Sequence, residues 1–380
     1  MAGSNRPRLT FTPRDRPLRR AMDLCFRGVS VPVIRSPFGR LRDGRTVERI
    51  MLSHSQSGFA VEVLEYGATL RSIFVPTASG RSVNTVLSYP SLREYVLGNV
   101  YLGATIGRCA GRTAAGARAT LRLTRNEGSN HLHGGKTGFS RSLWQVVDID
   151  GGNTPKVRLR HHSPTGEDGY PGNLVVDAEF SLVDAFVLRV IMEARTDVAT
   201  PLNMTLHPYF NLSGDPASTI DDHQLRIDSG CILPLCPARL PTGEMMSVDQ
   251  TPFDFRASRP IGASRYNGHA QLQISGGYDH YYVLNQGARL AADVYSPRSS
   301  LGLRVWTNQK GLQFYSGNQL DEAAPIAFPA RSGFCLEPHA FPNAVNEPRF
   351  PDVTLRAGDA YHYETSYEFY TRRVGQRSDG

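Results

Sequence analysis

From Phe38 onward the chain reads as short apolar and β-branched runs cut by turns. Residues 59–64 alternate, Tyr66-Gly67 breaks the run, and Leu70–Val75 resumes it. Val175–Val183 and Ala185–Ala194 are long β-rich runs parted by Asp184, a pattern that predicts a hairpin. Leu301–Thr307 and Leu312–Ser316, joined through Gln309-Lys310-Gly311, predict a second one. His362–Phe369 alternates cleanly, with Tyr363, Thr365, Tyr367 and Phe369 on one side and His362, Glu364, Ser366 and Glu368 on the other. Helical patterns are scarce, and Ser91–Leu97 has room for one turn or two. Neither a Gly-rich linker nor a solenoid-length repeat divides the chain. The pattern predicts an all-β protein, one large antiparallel β-sandwich with few short helices.

Composition agrees. At 380 residues, with 36 Gly, 25 Pro and 20% charged residues, the chain suits many turns between short strands. All-β units often run past ~200 residues as one domain. No stretch approaches the ~18 uninterrupted apolar residues of a membrane helix. The net charge of +7 points to nucleic acid only until its distribution is read. Residues 1–49 hold twelve Arg against four acids, whereas the rest holds 30 basic and 31 acidic residues. The body is therefore neutral, and nucleic-acid binding, which needs cations along a folded face, loses its support. Residues 1–35 form a basic, Pro-containing tail with no apolar signal core. A disordered tail, a strand that caps the fold, and a start at Met22 all remain open for it. Residues 36–372 are expected as the single domain and 373–380 as a C-terminal tail. Five cysteines without paired spacings give no disulfide framework, so a cytoplasmic location is expected. A zinc site on Cys231 and Cys236 lacks a second pair.

Chemistry is expected where polar and aromatic islands interrupt the strands. In GFCLEPHAFPN, Glu337 ends an apolar run, and Pro338 has no N–H to continue a ladder. Glu337 is thus expected as the last residue of a buried strand. Its carboxylate is then partly desolvated, which raises its pKa toward that of a general base. The plainer reading is a strand-end Glu facing water or paired with Arg. Gly107–Arg112 sets two Arg among small residues. In Asn130–Gly135, alternation puts His131 and His133 on one face, without a third ligand at metal spacing. His207 precedes Pro208, which favours extended backbone, and lies near Asn203, Tyr209 and Asn211. Asp279 lies among aromatics in GYDHYY, a combination that suits a sugar stacked on a ring face. No GxxxxGK, GxGxxG or GxSxG motif occurs, so phosphoryl transfer, dinucleotide redox chemistry and serine hydrolysis lose ground.

Taken in order, FGRLRDG, LEYGATLRSIFVP, LGATIGR, NHLHGG, SPTGEDGYPGNL, HPYFNL, GYDHYYVL, GLQFYSGNQLD and LEPHAFPNAVNEPRFP resemble the aldose 1-epimerase family, the galactose mutarotases. The resemblance runs from about Phe38 to Phe369. It implies a large twisted β-sandwich with an open sugar cleft, and interconversion of α and β anomers of free hexoses such as glucose or galactose. It also implies Glu337 as general base, His207 as general acid, His133 as an assisting group, and Arg112, Asp279 and Gln313 as sugar-binding residues. No metal or organic cofactor is implied, since no redox change occurs and no bond to the enzyme forms. The expected partner is a small sugar, with no nucleic acid and no membrane, for a monomer or homodimer. Two departures stand out. The Asn usual before the Arg is Gly111, and the usual TQHF or PQHF reads Pro338-His339-Ala340-Phe341. A glycoside hydrolase using Glu337 and Asp279 is an alternative, as is a non-catalytic sugar-binding protein. A phosphorylated hexose would need further cations, for which Arg108 and Arg141 are the candidates.

Overall fold

The strands predicted around Asp184 form as a hairpin at the centre of the largest sheet. The computed structural model describes residues 32–77, 80–116, 121–264, 268–285 and 290–372. Leu174–Asp184 and Val187–Thr196 pair antiparallel from Leu174↔Thr196 to Asp184↔Val187, with one irregularity near the turn. Tyr361–Thr371 lies between Val187–Thr196 and Leu301–Thr307. Its buried residues are Tyr363, Thr365, Tyr367 and Phe369, the side that alternation marks as inward. The sheet has nine strands, from Arg259–Pro260 at one edge to Gln145–Asp150 at the other. Two five-stranded sheets share its core: Ile50, Val61 and Leu70 come from one, Leu312, Phe314 and Leu336 from the other, and Val190, Val305 and Tyr367 from the large sheet. Among the described residues the α-helices are short, Leu92–Leu97 and Ala270–Ser275, and no helix is long and apolar enough to cross a membrane.

Three expectations need correction. The first strand, Val33–Arg40, begins inside the stretch expected as a tail and pairs with Thr46–Ser53. Residues 1–31 and 373–380, where the remainder of both expected tails falls, lie outside the described residues. Residues 59–64 alternate like a half-exposed strand, but Ala60–Leu64 is buried on both faces. Its acidic residue, Glu62, stays buried because Arg71 and Arg49 pair with it. The third concerns the second hairpin. Leu301–Thr307 stays in the nine-stranded sheet, whereas Gly311–Tyr315 joins a different one, between Asp279–Val283 and Cys335–His339. The turn bonds outward: Asn308 N donates to Glu364 O at 3.1 Å, and the Thr307 hydroxyl sits 2.9 Å from that of Thr365. The chain therefore changes sheets at residues 308–310. Periodicity reports which faces are buried and is silent on which strand lies alongside.

The sheet that receives this crossover carries the site. Its order is Met246–Ser247, Cys231–Ile232, Asp279–Val283, Gly311–Tyr315 and Cys335–His339. Glu337 pairs with Gln313 and Pro338 with Leu312, so the strand continues two residues beyond Glu337. Proline is tolerated there because the strand is the edge of its sheet, where a missing N–H leaves no ladder bond unmade. The Pro338 carbonyl is not wasted, since it accepts from the Thr205 hydroxyl at 2.9 Å. Alternation then sorts the side chains. Leu312, Phe314 and Leu336 enter the core, while Asp279, Tyr281, Gln313, Tyr315, Glu337 and His339 line a cavity on the other face.

Candidate active site

The cavity has a volume of about 640 Å³. At one end a charged scaffold holds its shape. Arg112 Nε donates to Glu127 Oε2 at 2.7 Å, and its Nη1 donates to Asp279 Oδ2 at 3.0 Å. Gln313 Nε2 donates to Asp279 Oδ1 at 2.7 Å. Burial pushes the Asp279 carboxyl up, but Arg112 and Gln313 outweigh it and hold it below its ordinary value. Burial likewise works against the Arg112 charge, and its two carboxylates more than restore it. Both groups are thus fixed in their ionised forms. A carboxylate has about four lone-pair sites, so Asp279 retains acceptor capacity for a ligand.

At the other end lie two imidazoles and a carboxyl. Extended backbone before Pro208 delivers His207, whose N–H donates to Ala104 O at 3.0 Å and whose carbonyl accepts from Gly103 N at 2.9 Å. His207 Nε2 lies 3.5 Å from Glu337 Oε1, and its Nδ1 lies 3.5 Å from Cys335 Sγ. Glu337 is 2% exposed and its Oε2 has no partner in the protein. Burial, then the Asp279 charge, push the Glu337 carboxyl well above its usual range. Burial lowers His207 to about 4. Both shifts have one leading cause, since burial disfavours the charged form of each group.

His133 stands beside them, its ring 5.1 Å from that of His207 and 4.8 Å from that of Tyr101. Its φ of +52° turns the chain, so His131 and His133 do not share a face. His131 is instead buried in the structure behind the cavity, between the Tyr170 hydroxyl and Thr124 O, at 2.7 Å from each. The two glycines that follow permit this turn. A Cβ on Gly134 would lie 1.7 Å from Gly107 O, and one on Gly135 2.4 Å from the Asp168 carboxylate. Gly111 N donates to His133 Nδ1 at 3.2 Å, which leaves the proton of the neutral ring on Nε2. Burial and the neighbouring His207 keep that ring neutral.

His133, His207 and Glu337 each offer a ligand atom within 4.8 Å of the others, a geometry that raises the question of a metal. The Gly111 bond argues against one. It makes His133 Nε2 a donor, and a cation needs a lone pair there.

The structure brings together all six residues expected at the site, His133, Arg112, His207, Asp279, Gln313 and Glu337. Arg108 is elsewhere, buried with its guanidinium on the carbonyls of Ser163, Pro164, Pro171 and Gly172. Arg141 lies at the cavity mouth. Sequence reasoning missed Tyr281 and Tyr315 and met His339 only as a departure from the family pattern, although each sits two residues from a predicted site residue on the same strand. Period-two alternation would have found them. It also missed Glu127, a loop residue with no motif around it.

Comparison with known proteins agrees with this geometry. Residues 48–368 match the family model described as aldose 1-epimerase. The chain is 37% identical over 350 residues to a galactose mutarotase of Sus scrofa, covering 89% of this chain and 99% of that one. It is 33% identical over 333 residues to an aldose 1-epimerase of Escherichia coli K12, covering 84% and 95%. A galactose 1-epimerase structure from Lactobacillus acidophilus superposes with a TM-score of 0.80 at 30% identity, covering 90% of this chain and all of that one. The chain belongs to the aldose 1-epimerase family.

Proposed function

We propose that this enzyme interconverts the α and β anomers of free hexoses such as glucose and galactose by acid–base opening and closing of the ring. The observation that carries this reading is the 3.5 Å approach of His207 Nε2 to Glu337 Oε1, beside an unpartnered Glu337 Oε2. The anomeric hydroxyl oxygen and the ring oxygen are bonded to the same carbon. A base for one and an acid for the other must therefore be close neighbours.

Glu337 takes the proton of the anomeric hydroxyl while protonated His207 gives one to the ring oxygen. The bond from C1 to the ring oxygen breaks and the aldehyde forms. Rotation about C1–C2 presents its other face, and closure returns both protons with the roles exchanged. One proton on the pair suffices, because the return step restores the starting state. In the one-proton state burial favours that proton on Glu337, so it passes to His207 across their 3.5 Å separation as the sugar binds. His133 Nε2–H donates toward the ring-oxygen side and holds the open chain. Arg112, Asp279 and Gln313 grip hydroxyls remote from C1, so only the reacting end turns. Each positioned acid or base is worth roughly 10²–10⁴ in rate.

Glycoside hydrolysis finds less support. It needs two carboxyl groups flanking the scissile bond, but Asp279 is committed to Arg112 and Gln313, and His207 and His133 would have no task. The four described cysteines stand unpaired, which supports placing the enzyme in the reducing cytoplasm. Polarimetry decides between the two chemistries. Purified protein should speed the approach of α-galactose and α-glucose to equilibrium and release no reducing sugar from oligosaccharides. Release of reducing sugar without faster mutarotation would reverse the reading.

A further inference from the structure

Two polar atoms facing the cavity have no partner in the protein, Glu337 Oε2 and His339 Nε2. They stand two residues apart on one strand. The reaction gives the first a use and leaves the second unexplained. His339 is 0% exposed, and its ring is tightly held. It packs on Tyr281 with ring centroids 5.1 Å apart, and the Tyr281 hydroxyl donates to the His339 carbonyl at 2.8 Å. Nδ1 lies against the Ala340 carbonyl, which the Asn203 amide braces at 3.0 Å. A carbonyl only accepts, so Nδ1 carries the ring proton and Nε2 presents a bare lone pair. Burial lowers the pKa of His339 to about 4, so the ring is neutral in the working range. Native proteins seldom keep a buried acceptor unpaired without a use for it.

Gly111 lies against this ring. A Cβ there would sit 2.9 Å from Pro342 Cβ and 3.9 Å from His339 Cε1, so Gly111, Pro342 and His339 close on one another. The two departures from the family pattern, Gly111 and His339-Ala340, therefore meet in one corner of the cavity. A polar side chain is lost on one wall, and on the facing one His339 stands where the family usually has Gln.

Resting on the epimerase reading above, we infer that His339 is a specificity-determining residue whose Nε2 accepts a hydrogen bond from one sugar hydroxyl, in the corner of the cavity beside Gly111 and Pro342. That hydroxyl is not the anomeric one, which Glu337 takes. Sugars that lack it, or carry it on the opposite face of the ring, leave the acceptor buried and unpaired. Sites built to bond a hydroxyl reject such analogues more strongly than pocket shape alone does.

The test measures kcat/KM for mutarotation of glucose, galactose and analogues lacking one hydroxyl at a time. It uses the full chain and the variants His339→Phe, His339→Gln and Gly111→Asn. In the unaltered protein one analogue should fall by about tenfold or more. His339→Phe keeps a ring against Tyr281 and should erase that one difference. His339→Gln, whose amide oxygen still accepts, should retain it. Gly111→Asn is an independent probe, because Asn tolerates the φ of +73° and, with its Cβ 2.9 Å from Pro342 Cβ, would displace that ring and crowd the corner beside His339. It should reduce activity on the parent sugar more than on the sensitive analogue. His339→Phe lowering every sugar by one factor, or no analogue-specific fall in the unaltered protein, overturns the inference. If His339→Phe does not fold, Gly111→Asn decides, and an equal loss on both sugars overturns it. An unaltered protein that accelerates no sugar overturns the epimerase reading itself and this inference with it. An active protein with a uniform profile overturns this inference alone.

Discussion

At the scale of single residues, the site depends on which groups stay charged and which stay neutral. Arg112 and Asp279 are buried ions kept ionised by each other and by Glu127 and Gln313. Removing one member of such a set leaves an uncompensated charge and costs about 3–5 kcal/mol. Arg112→Ala should therefore lower the denaturant midpoint by that equivalent and weaken sugar binding. An unchanged midpoint would show the ion set to be dispensable. The Glu337–His207 pair behaves differently, because in the proposed mechanism it works with one proton between two groups. Acidification through about 4, the pKa to which His207 is lowered, adds a second proton and removes the base. Alkali above the raised Glu337 pKa takes the last proton and removes the acid. The pH–rate profile of the unaltered enzyme should be a bell with its acid limb near 4 and its other limb set by the raised Glu337. An acid limb at the ordinary imidazole value would contradict the burial argument.

At the scale of elements, strand faces were legible and strand partners were not. Tyr361–Thr371 buries the side chains that alternation selects. Leu301–Thr307 and Gly311–Tyr315 have hairpin spacing, yet they enter different sheets because the turn bonds to Tyr361–Thr371. Pro338 misled for a related reason. It forbids a central strand, and it sits in an edge strand, which the sequence could not announce. Most site residues were legible through short motifs, whereas Glu127 is tied to Arg112 only by three-dimensional proximity. The His133 turn gives this scale its own prediction. Gly134→Ala adds a left-handed non-glycine residue at φ +86° whose Cβ would overlap Gly107 O. Strain of this kind costs about 1–3 kcal/mol before any overlap. The variant should lose stability in denaturant titrations and lose activity with it. Full activity at native stability would mean that the turn does not position His133.

At the scale of the whole molecule, the candidate site is one face of a five-stranded sheet whose other face belongs to the common core. Burying polar groups this way has a thermodynamic consequence. His161, His207, His223, His280 and His339 are each lowered from 6.5 to about 4 by burial. Between those values the unfolded chain binds protons that the folded protein refuses. Stability should therefore fall as pH drops from 6.5 to about 4 and change little from these groups below that. Glu65, Glu167 and Glu337 work in the opposite direction, since their folded forms gain a proton first, but the lowered histidines outnumber them. Thermal melts across this range should show a steady decline in Tm, and a flat profile would contradict the neutral buried histidines.

The account rests on two side chains, distant along the chain, sharing the protons of one hemiacetal. The most direct measurement is polarimetry of fresh α-galactose with equal amounts of unaltered protein, Glu337→Gln and His207→Asn, each shown folded by circular dichroism. The account predicts rapid mutarotation by the first and a rate reduced by roughly 10²–10⁴ in each variant. Near-normal mutarotation by either folded variant would contradict it.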